Sequence, residues 1–410
     1  MTLLSVSEAR TRILSQFKPV ETETIPLDHS SNRILAMDIV AADDLPLFNN
    51  SSMDGFALRA SDSLTAAPAS PTTLRVVADI PAGSAPKTSL ATGEAARIMT
   101  GAQLPIGADA VVPVEDTDFN NRDAGSTAPK QVLISKPLKS GANVRPRGMD
   151  VRAGDTVLHK GQRINPQTSG ILAMLGFSRV EVYKRPRVAL LSSGDELLEV
   201  NAPLESGKIR DSNTYMLAAL IESTNADVIR LGVARDTRES VQSLIEQAVQ
   251  QHVDLILSSA GVSVGAFDYV KEVVESNGAL DFWRVNMRPG KPVAFGNYKN
   301  IPFIGLPGNP VSAFVGFEVF VRDTIGRLSG ISDGGRQSVR VRCEDEILSD
   351  GRESYLRAVI HVQDGVYTAK LTGHQGSGNL LSLVQADALL IIPAGVKCVP
   401  AGQEVSAWLL

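Results

Sequence analysis

Between residues 187 and 328, short apolar runs of β type alternate with stretches whose apolar residues recur at helical spacing, and nothing else in the chain restricts its fold as much. "RVALLSS" (187–193) reads as a strand, "SNTYMLAALIES" as a helix and "DVIRLGV" as a strand. Val241, Leu244, Ile245, Ala248 and Val249 then mark an amphipathic helix. "VDLILSS" and "IPFIGLP" continue the strands, "AFDYVKEVVES" and "NPVSAFVGFEVFVRDTIGRL" the helices. Strands separated in this way pair in parallel, in a sheet covered on both faces. Such sheets take ligands beyond the carboxyl ends of their strands. "SSGDE", "VARDT", "SSAGVSVGAFD" and "GLPGNP" occupy those ends, so four polar, glycine-bearing segments should gather on one rim.

A single core seldom grows past roughly 250–300 residues, so a chain of 410 residues divides into domains. Ser5 and Glu8 form a capping-box pattern ahead of Ala9, Ile13, Leu14 and Phe17, which predicts a short first helix. A second helix is expected from Ser31 to Ile39. From Asp43 to about Lys136, Pro, Gly, Ser and Thr break up short β-type runs, the texture of a β-rich insertion. "NPQTSGILAML" predicts a helix capped by Asn165 with Pro166 at its first position. After about Gly330 the helical period stops, and alternating runs such as "SVRVRCEDEIL" and "SYLRAVIHV" predict a small sandwich or barrel.

Hydrophobic content of 43% and charged content of 21% are those of an ordinary globular chain. A net charge of −5 gives no general attraction for nucleic acid or an anionic membrane. Two cysteines, Cys343 and Cys398, cannot form a disulfide framework or a thiolate zinc site. Glu8 and Arg10 interrupt any signal-peptide core, and no run reaches the ~18 apolar residues of a membrane span. A cytoplasmic protein is expected.

Carboxylates stand at the strand ends: Asp195 with Glu196, Asp236, and Asp268. Hard oxygen ligands without His or Cys suit magnesium, which needs only one or two protein carboxylates beside phosphate oxygens. Each acid has a plainer reading too. Asp236 with Glu239 makes a capping box and Asp195 would favour a helix N-terminus, whereas Glu196 and Asp268, expected just inside helix starts, have less obvious structural jobs and favour function. The loop with Ala260, Gly261, Ser263 and Gly265 could aim backbone N–H groups at an anion, although many α/β turns carry two glycines and no ligand. In "FWRVNMRPGKPVAFG", Arg284, Arg288 and Lys291 flank a Pro-Gly turn, and the two arginines would share a face of an extended strand. The cluster could hold an oxyanion or be a solvated hairpin tip. Asp54 and Thr100 of the insertion, and Ser377 of "GHQGSGN", are either turn residues or ligand contacts. No catalytic triad is legible. The residues alone point to a magnesium-dependent site for a phosphorylated or adenylylated small molecule, with a second anion beside it.

"SSMDGFAL", "IMTGAQLPIGADAVV", "GDEL", "AGVSVGAFDYVK", "WRVNMRPGKPVAFG" and "GLPGNPVSAF" together resemble the molybdopterin molybdenumtransferases, the MoeA/gephyrin family, in the order found there. The resemblance implies a discontinuous linking and dimerisation domain (1–42 and 137–180), a β-rich inserted domain (43–136), an α/β molybdopterin-binding domain (181–329) and a C-terminal β-barrel (330–410). It implies insertion of molybdenum from molybdate into the dithiolene of adenylylated molybdopterin, with magnesium-dependent release of AMP. The sulfurs that ligate molybdenum then belong to the substrate, consistent with the shortage of protein thiols. A homodimer with a shared active site is implied, and a molybdopterin adenylyltransferase as upstream partner. By motif, Glu196, Asp236 and Asp268 match active-site acids and metal ligands. Asp54 and Thr100 match residues given to the partner subunit's site, and Asp150 of "RGMD" matches a further acid. Pro307, Pro310 and Ser377 match other site positions, and Arg284, Arg288 and Lys291 the segment expected to hold molybdate or phosphate. Two departures stand out. Ala260 replaces a usual glycine, which would be strained if φ there is positive, and Arg284 and Arg288 stand where lysine is common. A scaffold protein that keeps the fold without turnover is the rival of another class, and the presence of all the acids argues against it.

Overall fold

The computed structural model describes residues 3–119, 125–260, 269–331, 334–363 and 365–410. Two compact units emerge: one comprises Met1–Met37, Lys160–Ala173 and Phe177–Leu410, the other Asp38–His159 and Met174–Gly176.

The larger unit holds the alternating region as a six-stranded sheet in the spatial order Asp227–Ala234, Arg187–Ser193, Leu255–Ser259, Ile301–Leu306, Pro292–Tyr298, Gly278–Arg284. The first four strands run parallel, and Pro292–Tyr298 pairs antiparallel with both of its neighbours. Alternation decides the faces. Val188 and Leu190 enter one core with Leu217, Ile221, Val311 and Val315, while Ala189 and Leu191 enter another with Val241, Ile245, Val270 and Val273. All four strand residues are fully buried, which is why the run is apolar throughout rather than alternating.

The first helix, Val6–Ser15, begins as the sequence predicts, with the Ser5 hydroxyl accepting from the Glu8 N–H at 3.1 Å. Val6, Ala9 and Ile13 then join the first core. Asn165 caps the helix Pro166–Met174 through the Thr168 N–H, at 2.8 Å. The helix expected over residues 31–39 does not form. Asn32 sits at φ +62°, and the N–H groups of Leu35 and Ala36 donate to the carbonyls of Gln162 and Glu181. Pairing with segments distant in sequence takes the backbone bonds that a helix would need.

After the α/β region, Ser338–Cys343, Glu353–Gln363, Val366–Leu371, Ala388–Ile392 and Glu404–Leu409 close into a barrel, because Glu353–Gln363 pairs with both Val366–Leu371 and Ala388–Ile392. The sandwich alternative left open by the sequence is thereby excluded. Cys343 is buried in this barrel and Cys398 exposed, and both are free.

The smaller unit is built on a five-stranded sheet, ordered Ala110–Pro113, Gly55–Leu58, Glu94–Ile98, Thr72–Ile80, Gln131–Ile134. Gly55 is fixed by close approach: a Cβ there would lie 1.9 Å from the Val112 carbonyl oxygen. No described helix is long and apolar enough to cross a membrane.

Candidate functional site

The four parallel strands deliver their carboxyl ends side by side, so Gly194–Glu196, Arg235–Asp236, Ala260 and Pro307–Pro310 share one rim. Asp195 and Asp236 are locked reciprocally. The Asp195 N–H donates to Asp236 Oδ2 at 3.4 Å, and the Asp236 N–H donates to Asp195 Oδ1 at 3.3 Å. The capping reading of Asp236 fails, because Thr237 is the cap of the helix Arg238–Gln250 and its hydroxyl accepts from the Ser240 N–H at 3.2 Å. Asp236 is thus left to face Asp195.

Glu196 is not inside a helix start either. It precedes the short strand Leu197–Leu198, which pairs with Ile209–Arg210, and the helix begins only at Asn213. The expectation that Asp195 stands at a helix N-terminus falls with it. Gly194 has φ +145°, and a Cβ on it would come within 2.4 Å of Glu196 Oε2, so the Glu196 carboxylate folds back over a residue that has to be glycine. Asp268, Gly261, Ser263 and Gly265 lie outside the described residues.

A cavity of about 630 Å³ opens at this rim, lined by Ser192, Glu196, Arg210, Asn213, Ser259, Ala260, Pro307 and Pro310 among others. Its size is ordinary for a small-molecule site. Ala260 has φ +70°, the strained conformation anticipated for it, and its methyl packs against Gly308, where an added Cβ would be only 3.2 Å away. The barrel reaches the same cavity through Gly378 and Leu380. Ser377, beside them, accepts a backbone hydrogen bond from Val311 at 3.0 Å.

The basic residues are arranged differently from the extended strand expected. Arg284 ends the strand Gly278–Arg284, whereas Arg288 belongs to Met287–Arg288, which pairs in parallel with Glu353–Ser354 of the barrel. The chain turns between them, as the Met287 N–H bonds back to the Val285 carbonyl, so the even spacing does not place them on one strand face. The side chains of Arg284, Arg288 and Lys291 make no hydrogen bond or ion pair with another described residue, which leaves their charge available to an anion.

Sequence reasoning missed three residues. Arg357 is fully buried in a barrel strand, and its guanidinium donates to the carbonyls of His374, Gln375 and Gly376. Burial, with Arg288 nearby, pushes it down to about 10. An arginine amid the apolar run "SYLRAVIHV" was the available signal. Arg210 and Asn213 lie in "IRDSN", a stretch with no metal-ligand or glycine-loop pattern to single it out.

In the smaller unit, Asp54 and Thr100 come together. Thr100 donates to Asp54 Oδ1 from both its N–H and its hydroxyl, each at 2.7 Å. Thr100 keeps the turn role expected of it as well, since the Ala102 N–H donates to the Met99 carbonyl at 3.0 Å around Thr100 and Gly101, the latter at φ +80°. Both residues line a cavity of about 780 Å³ with Phe56, Arg97, Glu115 and Phe119. Asp150 lies elsewhere in that unit, exposed and paired with Arg145 at 2.5 Å.

Three family models match the chain in order. They are the MoeA N-terminal region (domain I and II) over residues 4–176, the probable molybdopterin binding domain over residues 189–327, and the MoeA C-terminal region (domain IV) over residues 340–410. A molybdopterin molybdenumtransferase of Nostoc sp. is 39% identical over 392 residues, covering 94% of this chain and 88% of the relative. Molybdopterin molybdenumtransferase 2 of Mycobacterium tuberculosis is 37% identical over 411 residues, covering 98% of this chain and 99% of the relative. Among solved structures, the molybdopterin biosynthesis MoeA protein of Pyrococcus horikoshii OT3 matches with a TM-score of 0.84 at 30% identity, over 100% of both chains. Agreement along the whole length, through the rim, the insertion and the barrel alike, settles the kinship: the chain belongs to the molybdopterin molybdenumtransferase family, a family of transferases.

Proposed function

We propose that the chain inserts molybdenum from molybdate into the dithiolene of adenylylated molybdopterin, cleaving its phosphoanhydride and releasing AMP. The observation that carries this reading is the Asp195–Asp236 contact at the strand ends, next to Glu196, which lines a cavity of small-molecule size.

Among the described residues no group of three or more His, Cys, Asp or Glu side chains converges on one ion position. Magnesium is held by few protein carboxylates and completes its shell with water and phosphate oxygens. Glu196 and Asp236, with Asp268, would hold the ion, which when bound offsets charge on the phosphoanhydride. Arg284, Arg288 and Lys291 hold the molybdate oxyanion by charged hydrogen bonds. Asp54 and Thr100 complete the site from a second copy of the chain, in a cytoplasmic homodimer supplied by a molybdopterin adenylyltransferase.

The test is AMP release from adenylylated molybdopterin by the purified protein with magnesium, with and without molybdate. Molybdate-dependent release, with recovery of active cofactor, is expected. Glu196→Gln and Asp268→Ala should each slow release by on the order of a hundredfold while melting like the parent. Tight substrate binding with no release would sink the reading.

A further inference from the structure

We infer that Arg210 is the cation of the rim cavity that holds a ligand's phosphate, working beside Asn213, which takes a hydrogen-bond donor from the same ligand. The inference rests on the reading above and names side chains that no motif assigned.

Glu196, Arg210 and Asp211 are the charged residues lining the cavity. Asp211 is spent internally: only 6% exposed, it accepts from the Thr214 N–H at 3.0 Å and the Thr214 hydroxyl at 2.5 Å. Glu196 is negative. Arg210 is therefore the only cation at this wall among the described residues, and it is uncommitted. Its one side-chain hydrogen bond is a long contact of 3.3 Å to the Ala202 carbonyl, and it makes no ion pair with a described residue. A guanidinium without a counter-ion at a cavity wall is suited to phosphate.

Asn213 adds an independent sign of a ligand. It is 8% exposed, and its Nδ2 donates to the Gly308 carbonyl at 2.7 Å and to Ser259 Oγ at 2.9 Å. A carbonyl can only accept, so the amide orientation is fixed and Oδ1 is the other atom. That Oδ1 is buried without a partner among the described residues. Buried acceptors are rarely left so, and here one lies at a polar cavity that also presents the hydroxyls of Ser192, Ser212 and Ser259. A phosphate ester whose sugar or heterocycle carries an O–H or N–H donor satisfies both groups at once.

The experiment is calorimetric titration of the full-length chain with AMP, and with adenosine as the uncharged control, in magnesium-free buffer so that only protein cations meet the phosphate. Arg210→Gln should weaken AMP binding about ten- to a hundredfold and leave adenosine within about twofold, with Arg210→Lys between. Asn213→Leu should weaken both ligands together. Because Arg210 is exposed, its variants should melt like the parent. Equal AMP affinity in Arg210→Gln, equal loss for adenosine and AMP, or no AMP binding by the parent chain would each overturn the inference. A chain that binds AMP through Arg210 yet releases none from adenylylated molybdopterin overturns only the proposed reaction. Unchanged binding with intact turnover overturns only the role of Arg210.

Discussion

Ala260 shows what one side chain costs at a site that favours none. At φ +70° an alanine methyl crowds its own carbonyl, at a cost of about 1–2 kcal/mol. Glycine would escape that strain and give back part of it as backbone entropy. Ala260→Gly should therefore raise stability by about 0.5–1 kcal/mol, read as a higher denaturant midpoint at unchanged slope. A loss would mean that the methyl's packing on Gly308 outweighs the strain. Glu318 is the opposite case, a charge that the core has fully enclosed. Its side chain is 0% exposed and meets Arg322 at 2.6 Å and Arg336 at 2.9 Å. Burial pushes its carboxyl up, but hydrogen bonds from the two arginines outweigh this and hold it below its ordinary value of 4.5. A depressed acid stabilises the fold above its unfolded value and loses that contribution as pH falls through the folded one. Glu318→Gln should cost about 3 kcal/mol at pH 7 and flatten the decline in stability below pH 4.5, measured by urea titrations across that range.

Among the elements, Arg357 makes one strand responsible for a neighbouring loop. Its guanidinium bonds three successive carbonyls of His374, Gln375 and Gly376, and its backbone exchanges two hydrogen bonds with the Gln375 amide. Arg357→Leu should free residues 373–379 while the barrel persists, seen as faster amide exchange confined to that loop. The strands and helices of the α/β region were legible because each apolar run has one period over its full length. What misled was local chemistry with two outlets. The residues of 31–39 satisfy a helical count, but their N–H groups find carbonyls of distant segments instead. Asp236 followed by Glu239 has the pattern of a cap, yet Thr237 stands one residue nearer the helix and takes the role. Arg284 and Arg288 differ by an even number, which fixes a common face only while the strand continues, and this one ends between them. Arg210 and Asn213 left no trace in the pattern, since their meaning lies in a cavity assembled by three strand ends far apart in sequence.

For the whole molecule, the proposed sharing of a site between two copies makes a demand that no single chain meets. Mixing an Asp54→Ala chain with a Glu196→Ala chain should restore AMP release to roughly a quarter of the parent rate, because half the dimers are mixed and each carries one intact site. Recovery of nothing would confine each site to its own subunit. The order of the chain carries a further consequence. The helix Val6–Ser15 lies against the last helical segment of the α/β region: Arg10 pairs with Asp323, 313 positions later, and the Val20 N–H donates to the Leu328 carbonyl at 2.8 Å. At a synthesis rate of about 5–20 residues per second, the apolar stripe of the first helix waits roughly 15–60 s before its partner leaves the ribosome. Through that interval Val6, Ala9 and Ile13 have no native core to enter. The nascent protein thus carries an uncovered amphipathic helix, a segment for a chaperone to hold until the chain closes on itself.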